Sequence, residues 1–275
     1  MRIGIIGQGF VGNAVYQKFK DYYDVITYDL DESKCNSTEE EVISNSNVIF
    51  VCLPTPMKKD DGGCWTGIVD AALNVINTYN KCKTVVVKST IPPGTTKEWN
   101  EKYENINVVF NPEFLTEANA VKDYENQNRI ILGGDEDTIM DLAPIFWPVF
   151  PQATIVLTNS TEAEMVKYLT NNFLSVKVAF ANEMYDLCAT LNLDYNEVVG
   201  MATYDERLGK SHWSVPGPDG DFGFGGHCFP KDLAAILSVT KEHDTIDNVL
   251  RAAQATNHSV RRNKDWEKME GRAVI

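Results

Sequence analysis

The chain has 275 residues, 43% of them apolar, and a formal net charge of −14, enough for one large or two ordinary domains with real cores. The acidic balance argues against nucleic acid or an anionic membrane as partner, and no apolar run reaches membrane-spanning length. An N-terminus that runs straight into a strand pattern, and six scattered cysteines (35, 52, 64, 82, 188, 228) without zinc-ligand spacing, predict a reduced, cytoplasmic protein that holds no metal.

The first element is a short apolar strand at the N-terminus, followed by Gly7-Gln8-Gly9-Phe10-Val11-Gly12 and a helical pattern through Phe19. This is the dinucleotide fingerprint in its proper context. Gly7 serves a tight turn, Gly9 the approach of a pyrophosphate, and Gly12 the close packing of helix on strand. A second strand over 25–28 ends at Asp29, where a carboxylate accepts the adenine ribose hydroxyls and repels the extra phosphate of NADP. NAD is therefore the expected cofactor. Strands follow over 48–53, 84–88, 108–110, 130–132 and 154–157, with a helix at 68–77 and an exposed turn at 58–63. Such alternation predicts a parallel, doubly wound Rossmann-type sheet with ligands outside the strand C-termini. Asn111 and Pro112 read as the cap and first residue of a helix, which would place Glu113 and Glu117 in its dipole-stabilised first turn.

From about residue 161 the pattern becomes helical. Residues 163–191 contain no Gly or Pro and repeat Met165, Tyr168, Leu169, Phe173, Val176, Phe180 and Met184 near helical spacing. One long helix is predicted, acting as hinge between domains and as oligomer contact. Lys167 and Asn171, four apart, share a face of it. A shorter helix over 195–203, a Gly/Pro-rich loop over 208–226 and helices over 231–243 and 247–266 complete a mostly α-helical second region. The loop leads into Gly223-Phe224-Gly225-Gly226-His227-Cys228-Phe229-Pro230-Lys231-Asp232. Glycines there let the backbone close on a ligand, and the nearby Lys231 and Asp232 make Cys228 a candidate thiolate nucleophile. The domain boundaries expected are 1–158, 159–268 and a last segment, 269–275.

Together these motifs resemble the UDP-glucose/GDP-mannose 6-dehydrogenase family along nearly the whole chain. The resemblance rests on the glycine fingerprint, Lys88-Ser89-Thr90-Ile91-Pro92-Pro93-Gly94, Asn111-Pro112-Glu113-Phe114-Leu115-Thr116-Glu117, Glu164-Met165-Val166-Lys167-Tyr168-Leu169-Thr170-Asn171, Asp205-Glu206-Arg207-Leu208-Gly209 and the Cys228 segment. It implies two successive NAD-dependent oxidations of a nucleotide sugar, alcohol to aldehyde to carboxylate, through a thiohemiacetal and thioester on Cys228. UDP-glucose is the substrate it favours, with UDP-N-acetylmannosamine and GDP-mannose as alternatives, and a silent NAD-binding chain as another.

The resemblance also implies roles. Lys167 and Asn171 stabilise an oxyanion; without it they would read as a solvated lysine and a surface amide. Asp232 and Thr90 serve the first oxidation through a water, and Glu113 serves the hydrolytic water. Pro54, Thr55, Ser89, Glu117 and Lys231 fall at cofactor contacts, with Phe10 and Val11 in the fingerprint turn. Lys34 fits either the adenosine end or an ordinary surface position. Phe114 and Leu115 fall beside the substrate, as do Phe222, Gly223, Phe224 and Gly225. Arg207 matches a residue that reaches the neighbouring subunit's substrate in a homodimer, or else a helix-end cation. His227 stands where the family uses small or aromatic residues and either adjusts the thiol or fills space. Residues 271–275 resemble the opening strand of the family's third domain, which binds the UDP half, so a chain ending there is expected to grip its substrate weakly.

Overall fold

The computed structural model describes residues 1–79 and 83–275; Cys82, one of the expected reduced thiols, lies outside the described residues. The chain begins with β1 (Arg2–Ile6), α1 (Phe10–Phe19), β2 (Asp24–Tyr28), α2 (Glu39–Asn45), β3 (Val48–Val51), α3 (Gly67–Thr78) and β4 (Lys83–Val87). It continues through α4 (Thr95–Lys102), β5 (Ile106–Phe110), α5 (Ala120–Glu125), β6 (Arg129–Gly133), α6 (Glu136–Phe146) and β7 (Thr154–Thr158). The described strands form one sheet in the order β2-β1-β3-β4-β5-β6-β7. Alternate side chains fill its two faces, as a sheet covered on both sides requires. Ile3, Ile5, Val86 and Val109 pack with Phe19, Tyr124 and Phe146 of α1, α5 and α6. Ile6, Val85, Val87 and Val108 pack with Val42, Leu73 and Trp99 of α2, α3 and α4.

The predicted parallel sheet holds from β2 through β5. It fails at β6, which meets β5 antiparallel at a single pair, Phe110 with Gly133; β7 then runs parallel to β6. The connection between β5 and β6, residues 111–128, contains one short α-helix, α5, of six residues.

Beyond β7 come α7 (Ser160–Thr190), α8 (Tyr195–Ala202), α9 (Cys228–Glu242) and α10 (Asn248–Val260). The long helix is present as predicted, but its polarity is inverted. Its buried face carries Glu164, Lys167, Asn171, Asn172, Ser175 and Asn182, whereas Leu169 and Phe173 are each 64% exposed. Burying polar groups costs little only when they find hydrogen-bond partners; Glu164, Lys167, Asn171 and Asn182 do, as shown below, whereas Asn172 Oδ1 is buried without one among the described residues.

The chain divides into two compact units, Met1–Thr55 with Thr66–Lys167, and Pro56–Trp65 with Tyr168–Ile275. The turn at 58–63 is therefore more than an exposed turn. Its segment belongs to the second unit, where Gly62 lies against Ala234 of α9 and Met57 bridges to Val274. Residues 273 and 274 are buried with Met57, Trp266 and Met269.

Two helix starts and one helix end differ from expectation. No helix begins at Pro112; residues 111–116 are irregular and a 3-10 turn forms only at Glu117–Asn119. Tertiary partners take the groups that capping would use, as described below. α9 starts at Cys228 rather than Lys231, because Pro230 sits in its first turn, where no intrahelical N–H bond is required. The last helix stops at Val260 because Arg261 turns to extended backbone, its guanidinium drawn to Asp219, Asp221 and Asp265.

Candidate active site

In the first unit the glycine turn lies between β1 and α1, beside β3, where the strand order reverses direction from β1. Ligands of open α/β sheets bind at that switch point. Gly7 has φ +92°, and a Cβ there would stand 2.5 Å from the Cys52 carbonyl oxygen. A Cβ on Gly12 would stand 1.8 Å from the Gly7 oxygen, so the turn and helix close as tightly as the spacing predicts. Gly9 is the opposite case, with nothing within 4 Å of its would-be Cβ. Open space above a helix N-terminus suits a pyrophosphate. Asp29 Oδ2 accepts the Gln8 N–H at 2.5 Å, which fixes the carboxylate beside the turn.

Thr55 Oγ1 donates to the Thr90 carbonyl at 2.6 Å, and Ser89 Oγ donates to the Leu53 carbonyl at 2.6 Å. These bonds lace the loops after β3 and β4 together along the same sheet edge. Phe10 and Val11 pack on the core behind the turn, while Pro54 and Glu117 are exposed. Lys34 pairs with Asp31 at 3.2 Å, half exposed.

Deeper in this unit is a buried polar chain. Lys88 Nζ donates to Asn111 Oδ1 at 2.7 Å, and Asn111 Nδ2 donates to the Ile131 carbonyl at 2.7 Å. This is why Asn111 caps no helix. Lys167 Nζ donates to Glu113 at its carbonyl (2.6 Å) and at Oε1 (2.9 Å), while the Leu115 N–H donates to Glu113 Oε2 at 2.8 Å. Burial opposes the charge on Glu113, but Lys167 and the Leu115 amide outweigh it and hold the carboxyl below its ordinary value. Burial pulls Lys88 down to about 8, against the opposing pull of Glu113. The Phe114 ring stacks with Arg129 at 4.3 Å and faces Lys167 Nζ at 5.6 Å.

The second unit holds the thiol. Cys228 is the first residue of α9, and Lys231 and Asp232 stand on the turn that follows. Lys231 Nζ donates to Asp232 Oδ1 at 2.6 Å and Asn171 Nδ2 donates to Asp232 Oδ2 at 2.6 Å. Both carboxylate oxygens are thus occupied in a site where Asp232 is 1% exposed. Burial opposes the Lys231 cation, yet Asp232, Cys64 and Cys228 together raise it above an ordinary lysine. A helix N-terminus and a fixed cation are the surroundings that stabilise a thiolate.

Within the loop, Gly223 and Gly225 face protein rather than open space: a Cβ would meet Asn257 Oδ1 at 2.2 Å and Arg261 Nη2 at 2.1 Å. Gly220 and Gly226, at φ +80° and +69° with nothing within 4 Å, have room beside them, and of the two Gly226 lies next to the thiol segment. Phe224 is buried, and Phe222 packs edge-on to Tyr185 at 5.8 Å. Arg207 is 88% exposed and paired with Asp205.

Comparison with known proteins places the chain in a family. Residues 35–148 match the profile described as the UDP-glucose/GDP-mannose dehydrogenase family, NAD binding domain, and residues 161–259 match the same family's central domain. The UDP-glucose 6-dehydrogenase of Rhizobium meliloti (strain 1021) is 30% identical, over 95% of this chain and 68% of that protein. This chain belongs to the UDP-glucose/GDP-mannose dehydrogenase family. The UDP-glucose 6-dehydrogenase of Rickettsia bellii (strain RML369-C) is 32% identical over 88% of the chain, which spans 56% of that relative's length. The structure of a UDP-glucose dehydrogenase from Pyrobaculum islandicum superimposes with a TM-score of 0.84 at 26% identity, covering 94% of this chain and 68% of that one. Ser89, Thr90 and Glu113 lie within the stretch matched to the NAD binding domain, and Lys167, Asn171, Cys228 and Asp232 within the stretch matched to the central domain.

Three supporting residues carry no role in the sequence reading. Lys88 reads as the polar end of a strand, and its burial is set by Asn111. Glu164, fully buried on α7, accepts the Thr96 N–H at 2.8 Å and the Gly94 N–H at 2.5 Å, which secures the loop carrying Thr90. A carboxylate three residues before Lys167 on a helix otherwise short of charge was the available signal for it. Asn257 had no local signal, because its partners lie 33 positions away.

Proposed function

We propose that the chain oxidises the C6 hydroxymethyl of UDP-glucose to the carboxylate of UDP-glucuronate, with Cys228 as nucleophile. The observation that carries this reading is Cys228 at the start of α9 with Lys231 and Asp232 on the next turn, Asp232 being held by Asn171. Gly7, Gly9, Gly12 and Asp29 would hold NAD, which when bound would supply the hydride acceptor for both oxidations.

In the first step the alcohol loses its proton through a water to the side of Asp232, and Asn171, already hydrogen-bonded to Asp232, donates to the developing oxyanion; the roles of Thr90 and Lys167 in this step rest on the family resemblance. The Cys228 thiolate then adds to the aldehyde carbon; the carbonyl π pair moves to oxygen, which takes a proton to give a thiohemiacetal. Oxidation converts this to a thioester. Water, activated by Glu113, attacks the thioester carbon, the C–S bond breaks, and the thiolate leaves. One alcohol, two NAD and one water give one carboxylate, two NADH and three protons.

The exposed apolar stripe of Met165, Leu169, Phe173, Phe180 and Leu187 on α7 supports a homodimer formed along that helix, since contiguous apolar surface of this kind marks an interface. In such a dimer the exposed Arg207 is free to reach the partner's substrate. Thiols outside disulfides at Cys35, Cys52, Cys64, Cys188 and Cys228 support a cytoplasmic place for the chain. The test is NADH formation by the 275-residue chain with UDP-glucose, UDP-N-acetylmannosamine and GDP-mannose. UDP-glucose is expected to give the highest kcat/KM; absence of NADH with all three overturns the reading.

A further inference from the structure

The loop that leads into Cys228 is held by side chains from three separate elements of the second unit. Asn182 Oδ1 of α7 accepts the Gly223 N–H at 3.0 Å, and Asp265, which opens the 3-10 turn Asp265–Lys268, accepts the Gly226 N–H at 3.1 Å. Between them, Asn257 of α10 pairs with Phe224 in both directions. Its Oδ1 accepts the Phe224 N–H at 2.7 Å and its Nδ2 donates to the Phe224 carbonyl at 3.0 Å. Asn257 is 2% exposed, so these bonds form away from competing water and each group would be costly to leave unpaired. Gly223 is required by this contact, since a Cβ would collide with Asn257 Oδ1.

We propose that Asn257 is a positioning residue for the reaction: by gripping both polar groups of Phe224 it sets where Gly226 and Cys228 stand. The proposal rests on the reading of Cys228 as nucleophile. Three residues separate Phe224 from Cys228, and Gly226 is the glycine in that span with open space at its would-be Cβ. Without the Asn257 grip the span before Cys228 rests on the Asp265 bonds to the Gly226 N–H, and misplacement of a reacting group by about 1 Å costs on the order of 100-fold in rate. Asparagine is the side chain for this task because it supplies acceptor and donor together in one plane.

The experiment compares the full chain with Asn257→Ala and Asn257→Asp in three measurements: kcat and KM for UDP-glucose, the dissociation constant for NAD, and the rate of Cys228 alkylation by iodoacetamide followed by mass spectrometry. Asn257→Ala is expected to lower kcat about 100-fold, to change the alkylation rate at least about threefold, and to leave NAD affinity within about twofold. Asn257→Asp keeps the acceptor for the Phe224 N–H and is expected to lose only about 10-fold in kcat, a partial rescue that a general loss of packing would not give. A folded Asn257→Ala with wild-type kcat and alkylation rate overturns the proposal, as does Asn257→Asp falling as far as Asn257→Ala. If the alanine variant does not fold, wild-type kcat and alkylation rate in Asn257→Asp overturn it. Alkylation is read without turnover, so an inactive wild-type chain refutes the proposed reaction while the comparison still decides the role of Asn257.

Discussion

Lys167 Nζ reaches two oxygens of Glu113, the carboxylate at 2.9 Å and the main-chain carbonyl at 2.6 Å. The pair is almost wholly buried, with side-chain exposures of 3% and 6%. Breaking a buried ion pair from one side leaves an uncompensated charge, a loss of about 3–5 kcal/mol. Lys167→Met should therefore lower stability by that order, and adding Glu113→Gln should recover part of it by removing the stranded carboxylate. Denaturant midpoints of the two single variants and the double variant check this.

The same pair predicts an acid limb. Glu113 has its folded pKa below its ordinary value of 4.5, so its stabilising contribution is complete above that value and is lost as pH falls through the lower folded one. In Glu113→Gln the acid limb should be shallower, as melting temperatures between pH 3 and 6 would read.

Glu164 gives the opposite sign. Burial raises its carboxyl to about 7, and the hydrogen bonds from Thr96 and Gly94 offset only part of that. The folded state therefore binds more protons than the unfolded chain between 4.5 and 7, and stability should fall as pH rises through that window. Glu164→Gln has no charge to bury and should lack this slope. Melting temperature against pH for the wild type and the variant is the measurement.

What the sequence could tell depended on how local the signal was. Gly7, Gly9, Gly12 and Asp29 are legible because turn, helix start and second strand all fall within one βαβ unit. Asn111 and Pro112 look like a cap in sequence; in the fold Lys88 and the Ile131 carbonyl claim the Asn111 side chain, and Lys167 claims Glu113. Tertiary hydrogen bonds outweigh a local preference of about 1 kcal/mol. The antiparallel direction of β6 was illegible because the apolar pattern of a strand does not state which way its neighbour runs. Gly223 and Gly225 read in sequence as room for the backbone to close on a ligand; in the fold Asn257 and Arg261 take that space, and their positions far along the chain gave no local signal.

Cofactor choice follows from Asp29, whose carboxylate is fixed by the Gln8 N–H beside the glycine turn. A 2′-phosphate brought there meets like charge. NAD should bind at least about 10-fold more tightly than NADP, and Asp29→Asn should narrow the difference, with repulsion worth roughly 1.4 kcal/mol per tenfold. Calorimetric titration of both cofactors tests it; equal affinities in the wild type would refute the role of Asp29.

The central claim is that Cys228 carries the aldehyde through its second oxidation. The most direct measurement is the yield of NADH per molecule of UDP-glucose consumed, compared between the wild type and Cys228→Ser. The wild type should give two, and the serine variant at most one with aldehyde as product, because an alkoxide is harder to form than a thiolate and its ester is harder to hydrolyse. Two NADH per sugar from Cys228→Ser would contradict the account.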